Sequence, residues 1–134
     1  MKKLGIGVDI INNSRIKRSI TNKRFLSKVF SNTEITNSKK TSNKTGYFSK
    51  RFAAKEAFSK ALGTGFGKGL NFNDISIVND KYGKPSIKVN NKLKNIINKR
   101  FKTKKFNVFL SISDEKNHSI AFVVLETFDV LAQD

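Results

Sequence analysis

Residues 50–69, KRFAAKEAFSKALGTGFGKG, decide how the rest of the chain is read. Residues 48–62 hold Ala, Phe, Leu, Lys and Glu with neither Pro nor Gly, which predicts a long helix. Gly63 follows the last apolar residue, where a left-handed helix stop calls for glycine. Within this helix stands Glu56, flanked by Arg51, Lys55 and Lys60. It is one of ten carboxylates in a chain with 27 lysines and arginines. So isolated an acid asks for a partner.

The size and composition bound the answer. At 134 residues, the chain suits one domain, residues 1–134, with its own core but little to spare. Cysteine is absent and His118 is the single histidine, which removes a disulfide framework, a thiol nucleophile and a cysteine-based zinc site. The apolar run at the start meets Asp9 too early for a secretory leader. No run approaches the roughly 20 apolar residues of a membrane span, so a soluble, cytoplasmic protein is expected. The net charge of +17 predicts attraction to something acidic: nucleic acid, an anionic membrane, an acidic protein or a phosphorylated small molecule. Charge alone does not choose among these, and solvated lysines explain much of it equally well.

Residues 4–11, LGIGVDII, form a β-branched apolar run that suits a buried strand. Asp9 near its end has two readings. It caps the helix that follows, or it is a functional carboxylate, because a charge near a buried strand is costly unless it is paired or bound to metal. Residues 12–30 carry Ile16, Ile20, Phe25, Leu26, Val29 and Phe30 at mostly helical spacing, with Arg15, Lys17, Arg18, Lys23, Arg24 and Lys28 outside. One helix broken near Thr21 or two short ones fit equally. The basic face suits an acidic helix or a phosphate backbone. Ser31 to Glu34 matches a capping box, so a short helix starts there. Residues 37–44 read as a loop.

The glycine run at Gly63, Gly65, Gly67 and Gly69 follows its helix, whereas a phosphate-cradling loop precedes one. It is either a flexible turn or a place where backbone approaches a ligand closely. Beyond residue 72 the pattern changes to short strands. Residues 75–78 and 86–89 form a hairpin turning near Tyr82 and Gly83, residues 92–101 a helix, and residues 107–113 and 119–128 two closing strands. This order predicts an α+β fold.

Glu56 and Lys60 are four residues apart in the orientation of an ordinary helix-surface salt bridge, worth about 0.2–0.5 kcal/mol. Against that stands a second possibility: Asp9 ends a strand on which the long helix plausibly packs. Two carboxylates converging from strand and helix would bind Mg²⁺, which takes one or two carboxylates plus substrate phosphates. Nearby lysines would neutralise phosphate oxygens, giving phosphoryl-type chemistry.

The segments GIGVDI, RFAAKEAFSKALGTG, YGKP and the final SIS…AFVVLE together resemble the holo-acyl-carrier-protein synthases, the small bacterial class of 4′-phosphopantetheinyl transferases. The motifs G-x-D and K-E-A-x-x-K stand about the family's distance apart, and the resemblance runs nearly end to end. It implies one domain of that fold, a small antiparallel sheet packed with one long helix and several short ones. It further implies transfer of 4′-phosphopantetheine from coenzyme A to a serine of an acidic apo acyl carrier protein, in fatty acid biosynthesis.

In that scheme, Asp9 and Glu56 hold Mg²⁺, Glu56 positions or deprotonates the nucleophile, and Lys60 stabilises the pyrophosphate or the leaving group. Arg51 and Lys55 are phosphate contacts or structural. Gly63 and Gly65 let coenzyme A approach the backbone, and Lys84 and Pro85 lie near the nucleotide. Arg15, Arg24 and Phe25 dock the carrier protein. A homotrimer with interfacial sites is expected, with neither nucleic acid nor membrane as partner. The chain departs from the common family pattern at residues 111–115, SISDE, where Asp114 replaces a frequent histidine; His118 is read as a surface residue. The rivals are a small basic nucleic-acid-binding protein, and an inactive relative serving as a scaffold.

Overall fold

The computed structural model describes residues 2–67 and 69–128. Strand β1 (Lys3–Asn12) leads into α1 (Asn13–Ser19), α2 (Lys23–Val29), α3 (Asn32–Ser38) and the long α4 (Lys44–Leu62). A 3₁₀ turn at Phe72–Asp74 precedes β2 (Ser76–Asn79) and β3 (Pro85–Lys88), and α5 (Asn91–Phe101) precedes β4 (Lys105–Asp114) and β5 (His118–Phe128). The architecture is α+β, as the order of elements predicts.

Strands β1, β5 and β4 form an antiparallel sheet in that order, with β5 central, while β2 and β3 pair separately as the hairpin. Ala121 on β5 lies opposite Asp9 on one side and Ile112 on the other. One face of the sheet is covered by α4. That helix is buried almost all round, through Phe48, Phe52, Ala53, Ala54, Ala57, Phe58, Ala61 and Leu62, which makes it the centre of the core.

Glycine sets the distance between the layers. A Cβ on Gly5 would overlap the carbonyl oxygen of Ala61, and one on Gly7 that of Ala57. The bare backbone of β1 therefore rests directly on α4, whose own contacts there are alanines. This is the physical content of the alternating glycines before Asp9.

Several boundaries differ from the sequence reading for local reasons. Helix α4 starts at Lys44, because Asn43 caps it by accepting from the Gly46 amide at 2.9 Å. Of the two arrangements open for residues 12–30, two helices form, because Asn22 accepts from the Arg24 and Phe25 amides and starts a new one. The capping box at Ser31 and Glu34 is present. In the hairpin, Asp80 Oδ1 accepts from the amides of Tyr82 and Lys84, and Gly83 takes a φ of 86°. Among the described residues, no helix is long and apolar enough to cross a membrane.

Candidate active site

Alternation along β1 turns Gly5, Gly7, Asp9 and Ile11 toward α4, and Leu4, Ile6, Val8 and Ile10 outward. Because the glycines bring strand and helix together, Asp9 arrives beside the Glu56–Lys60 turn of α4. Lys60 Nζ donates to Asp9 Oδ1 at 3.0 Å and to the Val8 carbonyl at 3.1 Å. The lysine thus pairs with the strand's carboxylate rather than with Glu56. The helix-capping reading of Asp9 also fails, since the cap of α1 is Asn12, accepting from Ser14 N at 2.9 Å.

The electrostatics of this corner are unusual. Burial pushes the Glu56 carboxyl above its ordinary range, and the negative charge of Asp9 pushes it further; Lys60 and Arg15 oppose both. Asp9 Oδ2 is buried without a hydrogen-bond partner. Two mutually repelling carboxylates, one with an orphaned oxygen, suit a hard divalent cation. Among the described residues, no group of three or more His, Cys, Asp or Glu forms a metal cluster. The remaining ligands of such a cation would be water and phosphate oxygens.

Around this corner the expected docking residues gather. The Arg15 guanidinium lies 5.8 Å from the ring centre of Phe52, one turn before Glu56 on α4. Phe25 stacks on the same ring at 6.2 Å, and the stack continues through Phe72 to Phe66 beside the glycine run. Arg24 is exposed on α2. Gly63 ends α4 in the left-handed conformation, φ 86°, donating its amide to the Ser59 carbonyl, and Gly65 has φ 69° with open space where a side chain would be.

Other predicted residues lie elsewhere. Lys55 is fully buried. Its ammonium pairs with Glu34 Oε1 at 2.7 Å and donates to the carbonyls of Phe72 and Ile75. Glu34 Oε1 also accepts from Ser31 N, and Oε2 from Ile77 N at 2.9 Å. The pair joins α3, α4 and β2, and burial pulls the Lys55 ammonium's pKa down. One residue further along the helix than Lys55 turns Glu56 by about 100°, enough to separate the core from the cleft.

Arg51 lies on the far face of α4 from Glu56, donating to Asn79 Oδ1 at 2.6 Å and to the Tyr47 carbonyl. It lines a cavity of about 320 Å³ with Tyr47, Asn79, Pro85, Ile112 and Asp114. Lys84 is exposed at the turn beside it, its amide held by Asp80. Asp9 is on edge strand β1, and this cavity adjoins the opposite edge strand, β4. A single chain therefore holds the Asp9–Glu56 corner and this cavity at opposite edges of its sheet. His118 Nδ1 lies 3.1 Å from Glu115 Oε1 in the β4–β5 turn, at the surface.

Sequence reasoning missed Glu34 as the partner of Lys55, because a capping box explains Glu34 completely at the local level. It missed Phe52 as well, although its place one helical turn before Glu56 is a usable signal.

A strand aspartate and a helix glutamate with an adjacent lysine suit phosphoryl-type chemistry. The chain belongs to the 4′-phosphopantetheinyl transferase superfamily, whose family model matches residues 5–123. More particularly, it is 60% identical over 126 residues to the holo-[acyl-carrier-protein] synthase of Pelagibacter ubique (strain HTCC1062), covering 94% of this chain and 98% of that one. Two solved structures share the fold. The holo-[acyl-carrier-protein] synthase of Neisseria meningitidis is 35% identical with a TM-score of 0.81, over 90% of this chain and 96% of that one. The Bacillus anthracis holo-(acyl-carrier-protein) synthase, in complex with CoA (3′,5′-ADP), is 37% identical with a TM-score of 0.76, over 92% and 96%. The nucleic-acid-binding alternative is not favoured by these likenesses.

Proposed function

We propose that this chain transfers the 4′-phosphopantetheine group of coenzyme A to a serine of an apo acyl carrier protein, releasing adenosine 3′,5′-bisphosphate. The observation that carries this reading is the Asp9–Lys60 pair beside Glu56, with Asp9 Oδ2 left unpartnered. The relatives named above are called synthases of the holo carrier protein, and one was solved with the coenzyme.

The chemistry follows from the residues. The serine oxygen forms a bond to the pantetheine-side phosphorus, and the bond from that phosphorus to the bridging pyrophosphate oxygen breaks. The bridging electrons leave on adenosine 3′,5′-bisphosphate, and the serine proton passes to Glu56 or to water beside it. The raised affinity of Glu56 for a proton suits a base. Lys60, on the rim of the corner, balances the charge that develops on the leaving phosphate. Asp9 and Glu56 would hold Mg²⁺, which when bound neutralises pyrophosphate charge and orients it. Gly63 and Gly65 admit the coenzyme to the backbone. Arg15, Arg24 and Phe25 receive the acidic carrier, steering its encounter through charge.

A second half-site belongs, in this reading, to a neighbouring copy. The outer face of the sheet exposes Leu4, Ile6, Val8 and Ile10 on β1, next to Ile120 and Phe122 on β5. A contiguous apolar face of this kind calls for cover. Packing copies on it in a homotrimer would bring the Arg51–Pro85 cavity of one chain, with Lys84 at its mouth, toward the Asp9–Glu56 corner of the next. The enzyme would work in the cytoplasm, without nucleic acid or membrane as partner, as a single domain spanning residues 1–134.

The test is incubation with coenzyme A, Mg²⁺ and apo carrier protein, read by mass spectrometry. The expected result is a carrier heavier by one phosphopantetheine. No mass gain with any apo carrier would overturn the proposal.

A further inference from the structure

Helix α5 buries Leu93 and Ile97, with Ile96 and Phe101 packed against the core beside them. Arg100, three residues after Ile97 and four after Ile96, is exposed, as Lys94 and Lys99 are. Its side chain overhangs the end of α4: a methyl group placed on Gly63 would lie 3.0 Å from Arg100 Nη2. Gly63 follows Lys60 by three residues and Glu56 by seven, so the three share one face of α4. Along that face run two carboxylates, then an ammonium, then a guanidinium.

Among the described residues, no carboxylate pairs with Arg100, while its neighbour on α5, Lys92, is held by Asp74 at 2.8 Å. The bare, left-handed Gly63 both ends the helix and leaves room for the guanidinium to reach its rim. The partial negative charge at the C-terminus of α4 favours a cation in this place, and by itself would give Arg100 a purely stabilising part. Gly63 stands one turn past Lys60, so the same cation also lies at the mouth of the glycine run, beside the lysine.

We infer that Arg100 is a second phosphate-binding cation of this site, contacting a phosphate oxygen of the coenzyme beside Lys60. The inference rests on the proposed function and adds a specificity residue from a helix that none of the sequence motifs includes. A planar guanidinium offers two parallel donors to phosphate, which a lysine cannot reproduce.

The experiment compares the wild-type chain, Arg100→Gln and Arg100→Lys, in steady-state transfer at saturating carrier and Mg²⁺, together with direct binding of coenzyme A and a thermal melt. Arg100→Gln is expected to raise both the KM and the Kd for coenzyme A about tenfold or more, the scale of a lost charge-assisted contact, with kcat and Tm near wild type. Arg100→Lys should recover part of the loss. Unchanged KM and Kd in Arg100→Gln, or a lowered Tm with unchanged KM, would overturn the inference and leave only helix-end stabilisation. A wild-type chain that neither binds coenzyme A nor transfers from it fails differently, taking the proposed function and this inference together.

Discussion

Lys60 Nζ and Asp9 Oδ1 lie 3.0 Å apart, across 51 residues of sequence. The lysine is therefore the counter-ion of Asp9, and would compete with a divalent cation bound there as proposed. Lys60→Met should tighten binding of Mg²⁺ alone several-fold, read by calorimetry, while slowing transfer on the order of 10²-fold, as loss of a charge-stabilising donor does. Weaker Mg²⁺ binding in this variant would mean that the lysine supports the cation instead of competing with it.

The carboxylates are expected to be indispensable to transfer but not to folding. Asp9→Ala and Glu56→Ala should each abolish transfer while leaving the circular dichroism spectrum intact. The pH behaviour has a defined sign. The pKa of Glu56 is raised by burial and by Asp9, so the folded chain binds this proton more tightly than the unfolded chain. Ionising it costs stability as pH rises through the raised value, and that cost is absent below the ordinary glutamate range. Glu56→Gln should accordingly raise Tm at neutral pH and lose this advantage in acid. At limiting Mg²⁺, the acid limb of kcat/KM should lie above the usual glutamate range and move down as Mg²⁺ is increased.

Gly7→Ala tests the contact that carries Asp9 to α4. The added methyl meets the Ala57 carbonyl, which belongs to helix backbone and cannot swing aside. A loss of about 3 kcal/mol or more in urea unfolding is expected, on the scale of severe overpacking. Near-wild-type stability with full transfer would show that the strand and helix can part without disturbing the site.

The buried pair of Lys55 and Glu34 makes a different prediction. Lys55→Met leaves an uncompensated carboxylate in the core, costing about 3–5 kcal/mol. Adding Glu34→Gln should return much of that stability. Turnover per folded molecule should stay near wild type in the double variant, measured against the folded fraction. A selective rise in KM for coenzyme A would instead give Lys55 a part in the site.

For the assembly, Ile6→Lys and Phe122→Lys should dissociate the oligomer in analytical ultracentrifugation and remove activity. Mixing is the sharper measurement. A chain inactive through Glu56→Ala and a chain inactive through Arg51→Ala should, after joint refolding, recover activity in about a quarter of the sites if one copy supplies each half. No recovery would mean that every site is built within one chain.

Local signals placed the five strands of the described residues, the long helix and α5 within a few residues, and the start of α3, through alternation in β1, a cap at Ser31 and a glycine after Leu62, while residues 12–30 stayed open between one helix and two. Local signals also explain what was misplaced. A capping asparagine at residue 43 looks like loop until its amide partner is seen, and Phe72–Asp74 makes a single 3₁₀ turn with no periodicity to read. The pairing of a strand aspartate with a helix glutamate was legible from the two motifs together. Lys60 was legible too, but its pairing with Asp9 and not with Glu56 was not, since four-residue spacing on a helix points to the local partner.

By itself, then, the sequence determined the elements, the family resemblance and the candidates Asp9, Glu56 and Lys60. The tertiary structure decided the partners: Lys60 with Asp9, Lys55 with Glu34, and Arg100 over Gly63. It also separated the Arg51–Pro85 cavity from the Asp9 corner, at opposite edges of one sheet. The physical reason is range. Propensity and periodicity act over a few residues, whereas an ion pair across 51 residues exists only once glycine has let a strand lie flat against a helix.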